Sequence, residues 1–374
     1  MNILHVISSG GMYGAEAVIL NLSRTLNENQ HHSVLGVFSN SLNSNLQLHE
    51  AATNAGVESH LIECQGQIDR AVPGRIRELV SRTRADVVHA HGYKADIYVY
   101  SALRRAGTPL VSTCHNWLTQ NRVVSLYGVV DRFVLRNYTE VAAVSEQVQQ
   151  TLLDAGVRKE IIHKVVNGID LRPFSGATPS LREAVGSGSV KTVGWVGRLS
   201  HEKGADIFLR AAARTLAHLP FTKFIVVGDG PDRKELESLI DELNIRNNVS
   251  LVGRREDMPS VYASFDIVVS SSRQEGLPMA ILEGMASSRP WIATAVGDVP
   301  TVILDDVTGI LIPPENVELL TTALVELLQD ANRRGRLGLA ARRLVEEQFS
   351  AQRMTEEYLR IYQQALRHTI KNEG

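Results

Sequence analysis

Short β-branched runs alternate with stretches whose apolar residues recur every three or four positions, and this rhythm runs through most of the chain. In the first half, Ile3–Ile7, Ser33–Phe38, Asp86–Ala90, Leu110–Thr113, Glu140–Val144 and His163–Val166 read as strands. Ala15–Leu26, Arg75–Thr83 and Glu146–Ala155 read as amphipathic helices between them. Strand alternating with helix predicts a parallel sheet covered on both faces. The stretch Leu171–Ser189 is rich in Pro, Gly and Ser and reads as a linker. Beyond it the rhythm restarts. Strands are expected at Thr192–Val196, Lys223–Val227, Val249–Val252, Ile267–Ser270, Trp291–Thr294 and Gly309–Ile312. Helices are expected at Ala205–Ala217, Asp232–Leu243, Met279–Ala286 and Leu319–Leu328, and Ala331–His368 is helical in pattern throughout. The fold class is therefore α/β: two Rossmann-like domains, residues 1–172 and 190–350, and a C-terminal helical segment, 351–374. Ligands of open parallel sheets sit beyond the carboxyl ends of the strands, so a cleft between the domains is the expected site.

Composition narrows the function classes without choosing among them. With 374 residues the chain can bury two cores, and a formal charge of −2 gives no general attraction for nucleic acid. Two cysteines, Cys64 and Cys114, are too few for a disulfide framework or a cysteine-rich metal site, which points to a reducing, cytoplasmic setting. The N-terminus lacks a basic n-region and enters a strand at once, so a signal peptide is not expected. No apolar run approaches the ~20 residues of a membrane span, leaving only peripheral contact. Segment 65–105 carries eight Lys/Arg against four acids, a surplus of +4 that suits either a solvated face or an anionic membrane.

The most informative local signal is Glu275-Gly276-Leu277-Pro278-Met279-Ala280-Ile281-Leu282-Glu283. Pro278 suits the first position of a helix, where its missing N–H has no partner to lose. Glu275 then lies in the loop ahead of the helix and Glu283 about a turn and a half inside it. The N–H groups of Gly276, Leu277 and Met279 point from the helix start, where phosphate binds readily. Carboxylates repel phosphate, so the two Glu side chains should accept from hydroxyls instead. A diphosphate flanked by polyhydroxylated rings fits this layout, which is the chemistry of a nucleotide sugar.

Other constellations are weaker alone. Gly10-Gly11-Met12-Tyr13-Gly14 follows the first strand and opens the first helix, so Gly11 and Gly14 allow close approach of a ligand. Arg198 and Lys203 crown a strand-to-helix loop, where a guanidinium and an ammonium together neutralise a diphosphate. His89-x-His91 invites a zinc reading, but no further ligands stand at a suitable spacing. There is no Asp-x-Asp pair to seat a metal on a diphosphate.

Taken in order, Gly10-Gly11…Gly14-Ala15-Glu16, His115, Val144-Ser145-Glu146, Asn167-Gly168-Ile169-Asp170, Gly197-Arg198…Glu202-Lys203-Gly204, Gly228-Asp229-Gly230-Pro231 and Glu275-Gly276…Glu283-Gly284-Met285-Ala286 resemble glycosyltransferase family 4. The resemblance covers nearly the whole chain and implies a retaining, metal-independent nucleotide-sugar transferase of the GT-B fold, whose last helix crosses back to the N-terminal domain. It implies catalytic or donor-site roles for Arg198 and Lys203 on the diphosphate, Glu275 and His115 on the transferred sugar, and Glu283 on the ribose. It also implies backbone contacts to the donor from Gly11 or Gly14, from Gly253–Arg255 at the base, and from Gly276, Leu277 and Met279. The family's Gly-Phe-Gly is Gly276-Leu277-Pro278 here, and Pro278 removes one backbone donor. The partners so implied are a nucleoside-diphosphate sugar, with UDP favoured, and a lipid-linked saccharide at the inner membrane face. Polysaccharide or lipopolysaccharide synthesis is the matching role. An epimerase of the same fold and a non-catalytic binding subunit are the alternatives.

Overall fold

The computed structural model describes residues 1–12, 14–40, 45–66, 68–115, 130–181, 190–276 and 279–372. The chain divides into two compact units, Met1–Gly168 with Ala351–Gly374, and Ile169–Ser350. The first unit holds a seven-stranded parallel sheet. Its strands are β1 (Asn2–Ile7), β2 (His32–Ser39), β3 (Glu58–Glu63), β4 (Val87–His91), β5 (Leu110–Cys114), β6 (Glu140–Ala143) and β7 (Ile162–Lys164). They lie in the order β3-β2-β1-β4-β5-β6-β7. Between them run α1 (Gly14–Glu28), α2 (Gln47–Asn54), α3 (Val72–Thr83), α4 (Tyr93–Leu103) and α5 (Glu146–Asp154). Leu4, Val6, Val88, Ala90 and Val111 are completely buried, as expected where helices cover both faces of a parallel sheet.

Two departures from the sequence expectation have simple causes. β3 escapes the apolar pattern because it is an edge strand: of Glu-Ser-His-Leu-Ile-Glu only Ile62 is buried, while the backbone pairs with β2 from Val34–Glu58 to Ser39–Glu63. Tyr93–Leu103, where the sequence pattern assigned no element, is α4, and that helix buries Ala95, Tyr98, Val99, Ala102 and Leu103 along one stripe.

The second unit repeats the plan with six strands, ordered β10-β9-β8-β11-β12-β13. These are β8 (Thr192–Val196), β9 (Lys223–Val227), β10 (Val249–Gly253), β11 (Ile267–Ser270), β12 (Trp291–Thr294) and β13 (Gly309–Ile312). The helices are α6 (Ala205–His218), α7 (Arg233–Glu242), α8 (Met258–Ala263), α9 (Met279–Ala286), α10 (Val317–Gln329) and α11 (Ala331–Gln348). Trp195, Phe208, Phe224, Phe265 and Trp291 fill the core. The described part of the stretch expected as a linker, Leu171 to Leu181, belongs to this unit. Arg172–Phe174 form a short 3-10 turn, and the N–H groups of Ser180 and Leu181 each donate to Ser264 Oγ at 3.1 Å.

The helical pattern from Ala331 onward is not one helix. After Gln348 the Phe349 carbonyl accepts the Ile169 N–H at 2.9 Å, and Ile169 pairs with Ser350, so the backbone leaves the helical hydrogen-bond series there. A separate helix, α12 (Ala351–Asn372), then joins the first unit. It buries Met354, Tyr358, Ile361, Tyr362 and Ala365, a one-sided stripe. At about 1.5–3 kcal/mol for each large apolar side chain, this stripe accounts for the docking. Two hydroxyls fix its register: Tyr362 meets His89 Nδ1 at 2.8 Å and Tyr358 meets Thr113 Oγ1 at 2.8 Å.

Candidate functional site

In the second unit the chain leaves β8 at Val196 and β11 at Ser270, on adjacent strands, so the loops that follow lie side by side. The loop after β8 carries Arg198, then a single 3-10 turn, His201–Lys203. It ends at Gly204, whose φ of +66° is left-handed and whose added Cβ would stand 2.1 Å from the Ser271 carbonyl. Only glycine permits that approach. The loop after β11 carries Ser271–Gly276 and leads to α9. Arg273 straps the two loops together. Its N–H donates to the Glu202 carbonyl at 2.8 Å, and its guanidinium forks onto Asp206 at 2.9 and 2.9 Å. It also reaches the His201 carbonyl at 2.7 Å and Glu315 at 3.0 Å. From below, Ser271 Oγ donates to the Gly204 carbonyl at 2.6 Å and receives Trp195 Nε1 at 3.1 Å.

This bracing brings together two residues 72 positions apart. Lys203 Nζ lies 2.7 Å from both carboxylate oxygens of Glu275, and Ser272 Oγ donates to Glu275 Oε1 at 2.7 Å. The carboxylate is nearly buried, with 7% of its side chain exposed, against 27% for the lysine. The Glu275 backbone is held as well: Gly297, at φ +52°, packs so closely that a Cβ there would stand 1.9 Å from the Glu275 carbonyl. Arg198 is exposed, and no hydrogen bond or ion pair ties its guanidinium to another described residue. Its charge, with that of Lys203, adds to the Ser200 hydrogen bond that chiefly holds the Glu202 carboxyl below the usual range.

Glu283 stands in α9 as the spacing predicts. Desolvation pushes its pKa up to about 7, with the Tyr262 hydroxyl partly offsetting the rise. Gly276 is exposed and Met279 opens α9, while Leu277 and Pro278 lie outside the described residues. Near the end of β10 the Gly253 carbonyl already accepts the Gly228 N–H at 2.9 Å. Arg255 forks onto Asp257 at 2.8 and 2.9 Å, and this pairing is the main cause that brings the Asp257 carboxyl down to about 2.

In the first unit, Gly11 follows β1 and is buried, with its N–H on Ser9 Oγ at 3.3 Å, and Gly14 opens α1 at an exposed position. His115 follows β5. Burial pushes its pKa down to about 4, and its Nε2 has no partner among the described residues. Beside it is a group the sequence spacing hid. His5 on β1 pairs in register with His89 on β4, so His5, His89 and His91 share one sheet face and place a nitrogen each within 4.8 Å of one another. Such a trio fits the donor set of a metal site, but hydrogen bonds already engage four of its nitrogens. His5 Nδ1 meets His91 Nε2 at 3.0 Å, while His89 spans Tyr362 and Thr113 at 2.8 and 2.7 Å. Burial pushes the imidazole of His5 down to about 3 and those of His89 and His91 well below the ordinary value, so all three are neutral at pH 7.

Sequence reasoning missed Ser272, Arg273, Tyr262 and His5. Arg273 and Ser272 lie two and three positions before Glu275, but a polar residue in a loop has no pattern of its own. What marks them is their partners, and those come from distant parts of the chain.

Residues 12–172 match the description "Glycosyltransferase Family 4", and residues 190–330 match "Glycosyl transferases group 1". Alpha-D-kanosaminyltransferase of Streptomyces kanamyceticus is 29% identical over 78% of this chain and 80% of its own length. UDP-Gal:alpha-D-GlcNAc-diphosphoundecaprenol alpha-1,3-galactosyltransferase of Escherichia coli is 28% identical over 68% of this chain and 69% of its own. Among solved structures, Anabaena HepE in complex with UDP superimposes with a TM-score of 0.82 at 22% identity, covering 96% of this chain and 99% of that one. The two parallel sheets and both family matches agree: the chain belongs to the family 4 glycosyltransferases and has the GT-B fold.

Proposed function

We propose that the protein is a retaining transferase that moves a sugar from a nucleoside-diphosphate sugar, preferably a UDP-sugar, to a hydroxyl of a lipid-linked saccharide. The observation that carries this reading is the cluster of Arg198, Lys203 and Glu275 on two braced loops, with Glu283 on the helix that follows. The leaving diphosphate gains negative charge in the transition state. Arg198, Lys203 and the N–H groups about Gly276 and Met279 stand ready to stabilise that charge without a metal ion. Glu283 accepts from the ribose, and Glu275 accepts from hydroxyls of the transferred sugar. Glu275, held by the Ser272 hydroxyl, orients the sugar rather than attacking it. The acceptor then enters on the face the diphosphate leaves, and the departing phosphate takes the acceptor proton.

UDP is favoured because HepE is described bound to it, and a lipid-linked acceptor because the galactosyltransferase relative acts on a diphosphoundecaprenol saccharide. The basic surplus of segment 65–105 supports docking at an anionic membrane face. No described helix is long and apolar enough to cross a membrane. A thermal-shift panel of nucleotides and nucleotide sugars, each with magnesium and with EDTA, tests the donor. A melting-temperature rise of several degrees with a UDP-sugar in EDTA is expected, and a response to no nucleotide sugar would refute the reading. Incubation with donor alone should give at most slow hydrolysis, whereas rapid change of the sugar itself would mean an epimerase. Flotation with anionic liposomes tests the membrane contact, and its absence would remove that part.

A further inference from the structure

Glu275 is held by two groups of different kind. Lys203 reaches it with a long, partly exposed side chain. Ser272 reaches it from a buried position, 2% exposed, where its own carbonyl accepts the hydroxyl of the fully buried Thr294 at 2.6 Å. Thr294 ends β12, the strand beside β11, so the serine is anchored to the sheet itself. In the donor-free protein Lys203 and Glu275 neutralise each other. A diphosphate carries more charge than one carboxylate and competes for the same ammonium. Once Lys203 turns to phosphate, Glu275 loses its cation, and a nearly buried carboxylate without any partner would swing toward water. Among the described residues, the Ser272 hydroxyl is the hydrogen-bond donor that then remains on it.

We propose that Ser272 is a positioning residue, holding Glu275 on the donor sugar while the diphosphate draws Lys203 away. This deepens the donor reading above and rests on it. It predicts that Ser272 matters for the sugar half of the donor and not for the nucleotide half.

Calorimetric titration of wild type, Ser272→Ala and Ser272→Thr tests this with matched pairs: UDP with UDP-glucose, UDP with UDP-N-acetylglucosamine, and GDP with GDP-mannose. For the pair that wild type binds, Ser272→Ala should leave the Kd of the nucleoside diphosphate within twofold and weaken the nucleotide sugar about tenfold. Ser272→Thr, which keeps the hydroxyl, should restore the nucleotide sugar to within twofold. Equal weakening of both ligands would mean a merely structural role, and no weakening of either would remove Ser272 from the site; either result overturns the inference. If Ser272→Ala fails to fold, Ser272→Cys, close in size and a poor donor, takes its place under the same criteria. If wild type binds none of the pairs, the donor reading itself fails, an outcome separate from a serine that does nothing.

Discussion

The two units share a parallel α/β plan but furnish the carboxyl ends of their strands with opposite electrostatics. In the second unit Arg198, Lys203, Glu275, Arg273 and Asp206 remain charged, and several of them share partners across two loops. In the first unit the carboxyl ends of β4 and β5 hold His91 and His115, and His5 and His89 continue the group into the sheet; burial keeps all four imidazoles uncharged. Loops that meet a polyanion need mobile cations with exchangeable counter-charges. A face that handles hydroxyls needs neutral groups able to donate or accept, and charge there would draw in water or the wrong ligand. The proposed division of labour, donor diphosphate on one unit and hydroxyl chemistry on the other, follows from that contrast.

The contrast breaks most visibly under acid. A histidine whose folded pKa lies below its unfolded value of 6.5 takes up a proton on unfolding, so stability falls as pH drops below about 6.5 and continues down to the folded values, about 4 for His115 and about 3 for His5. Each imidazole contributes about 1.4 kcal/mol per pH unit. Asp96 acts in the opposite sense: burial, with Asp131 beside it, raises its carboxyl well above the ordinary value. Chemical denaturation followed between pH 7 and pH 5 should show the histidines lowering stability as pH falls, and His5→Gln should make that fall shallower, by up to about 1.4 kcal/mol per pH unit near pH 5. A slope unchanged by His5→Gln would mean the imidazole is protonated in the fold.

The second-largest effect tests the charged side. Lys203→Ala removes the exchangeable cation, and turnover at saturating donor should drop about a hundredfold, the scale of losing one group fixed on developing charge. Its readout is nucleotide release with excess nucleotide sugar. Turnover that stays intact would assign Lys203 to holding Glu275 only.

How much of this was legible in the sequence differs between the units for a physical reason. The strands at the centre of both sheets, the position of α9 and the Glu275–Glu283 spacing are local properties, written in periodicity and in a proline at a helix start. β3 was not legible because edge strands bury little, and the break after Gln348 was not because Phe349 leaves the helix for a partner 180 residues earlier. The charged loop was half legible, since Arg198 and Lys203 stand in a strand-to-helix loop that predicts anion contact. The histidine face was scarcely legible at all: His5 and His89 are neighbours only through strand register, and a single histidine on a buried strand carries no signature.

The smallest effect sharpens the comparison where one group crosses it, since Glu283 belongs to the charged unit yet is largely desolvated. Raised from its ordinary 4.5 to about 7, its carboxyl stays protonated in the fold where the unfolded chain has ionised. Its contribution to stability is therefore complete below pH 4.5 and is lost as pH rises from there toward 7, the reverse of the histidines. Ligand binding reverses it again. A ribose hydroxyl donates to carboxylate, so donor binding selects the ionised form and should release a proton below pH 7. Nucleotide affinity is then expected to strengthen about tenfold from pH 6 to pH 8 and to level off above. Calorimetry in two buffers of different ionisation enthalpy reads the proton directly. Glu283→Gln, which cannot ionise, should bind more weakly and with no pH dependence over this range. A Gln variant that keeps the wild-type slope would move the titration to another group and leave Glu283 as an ordinary buried acid under α9.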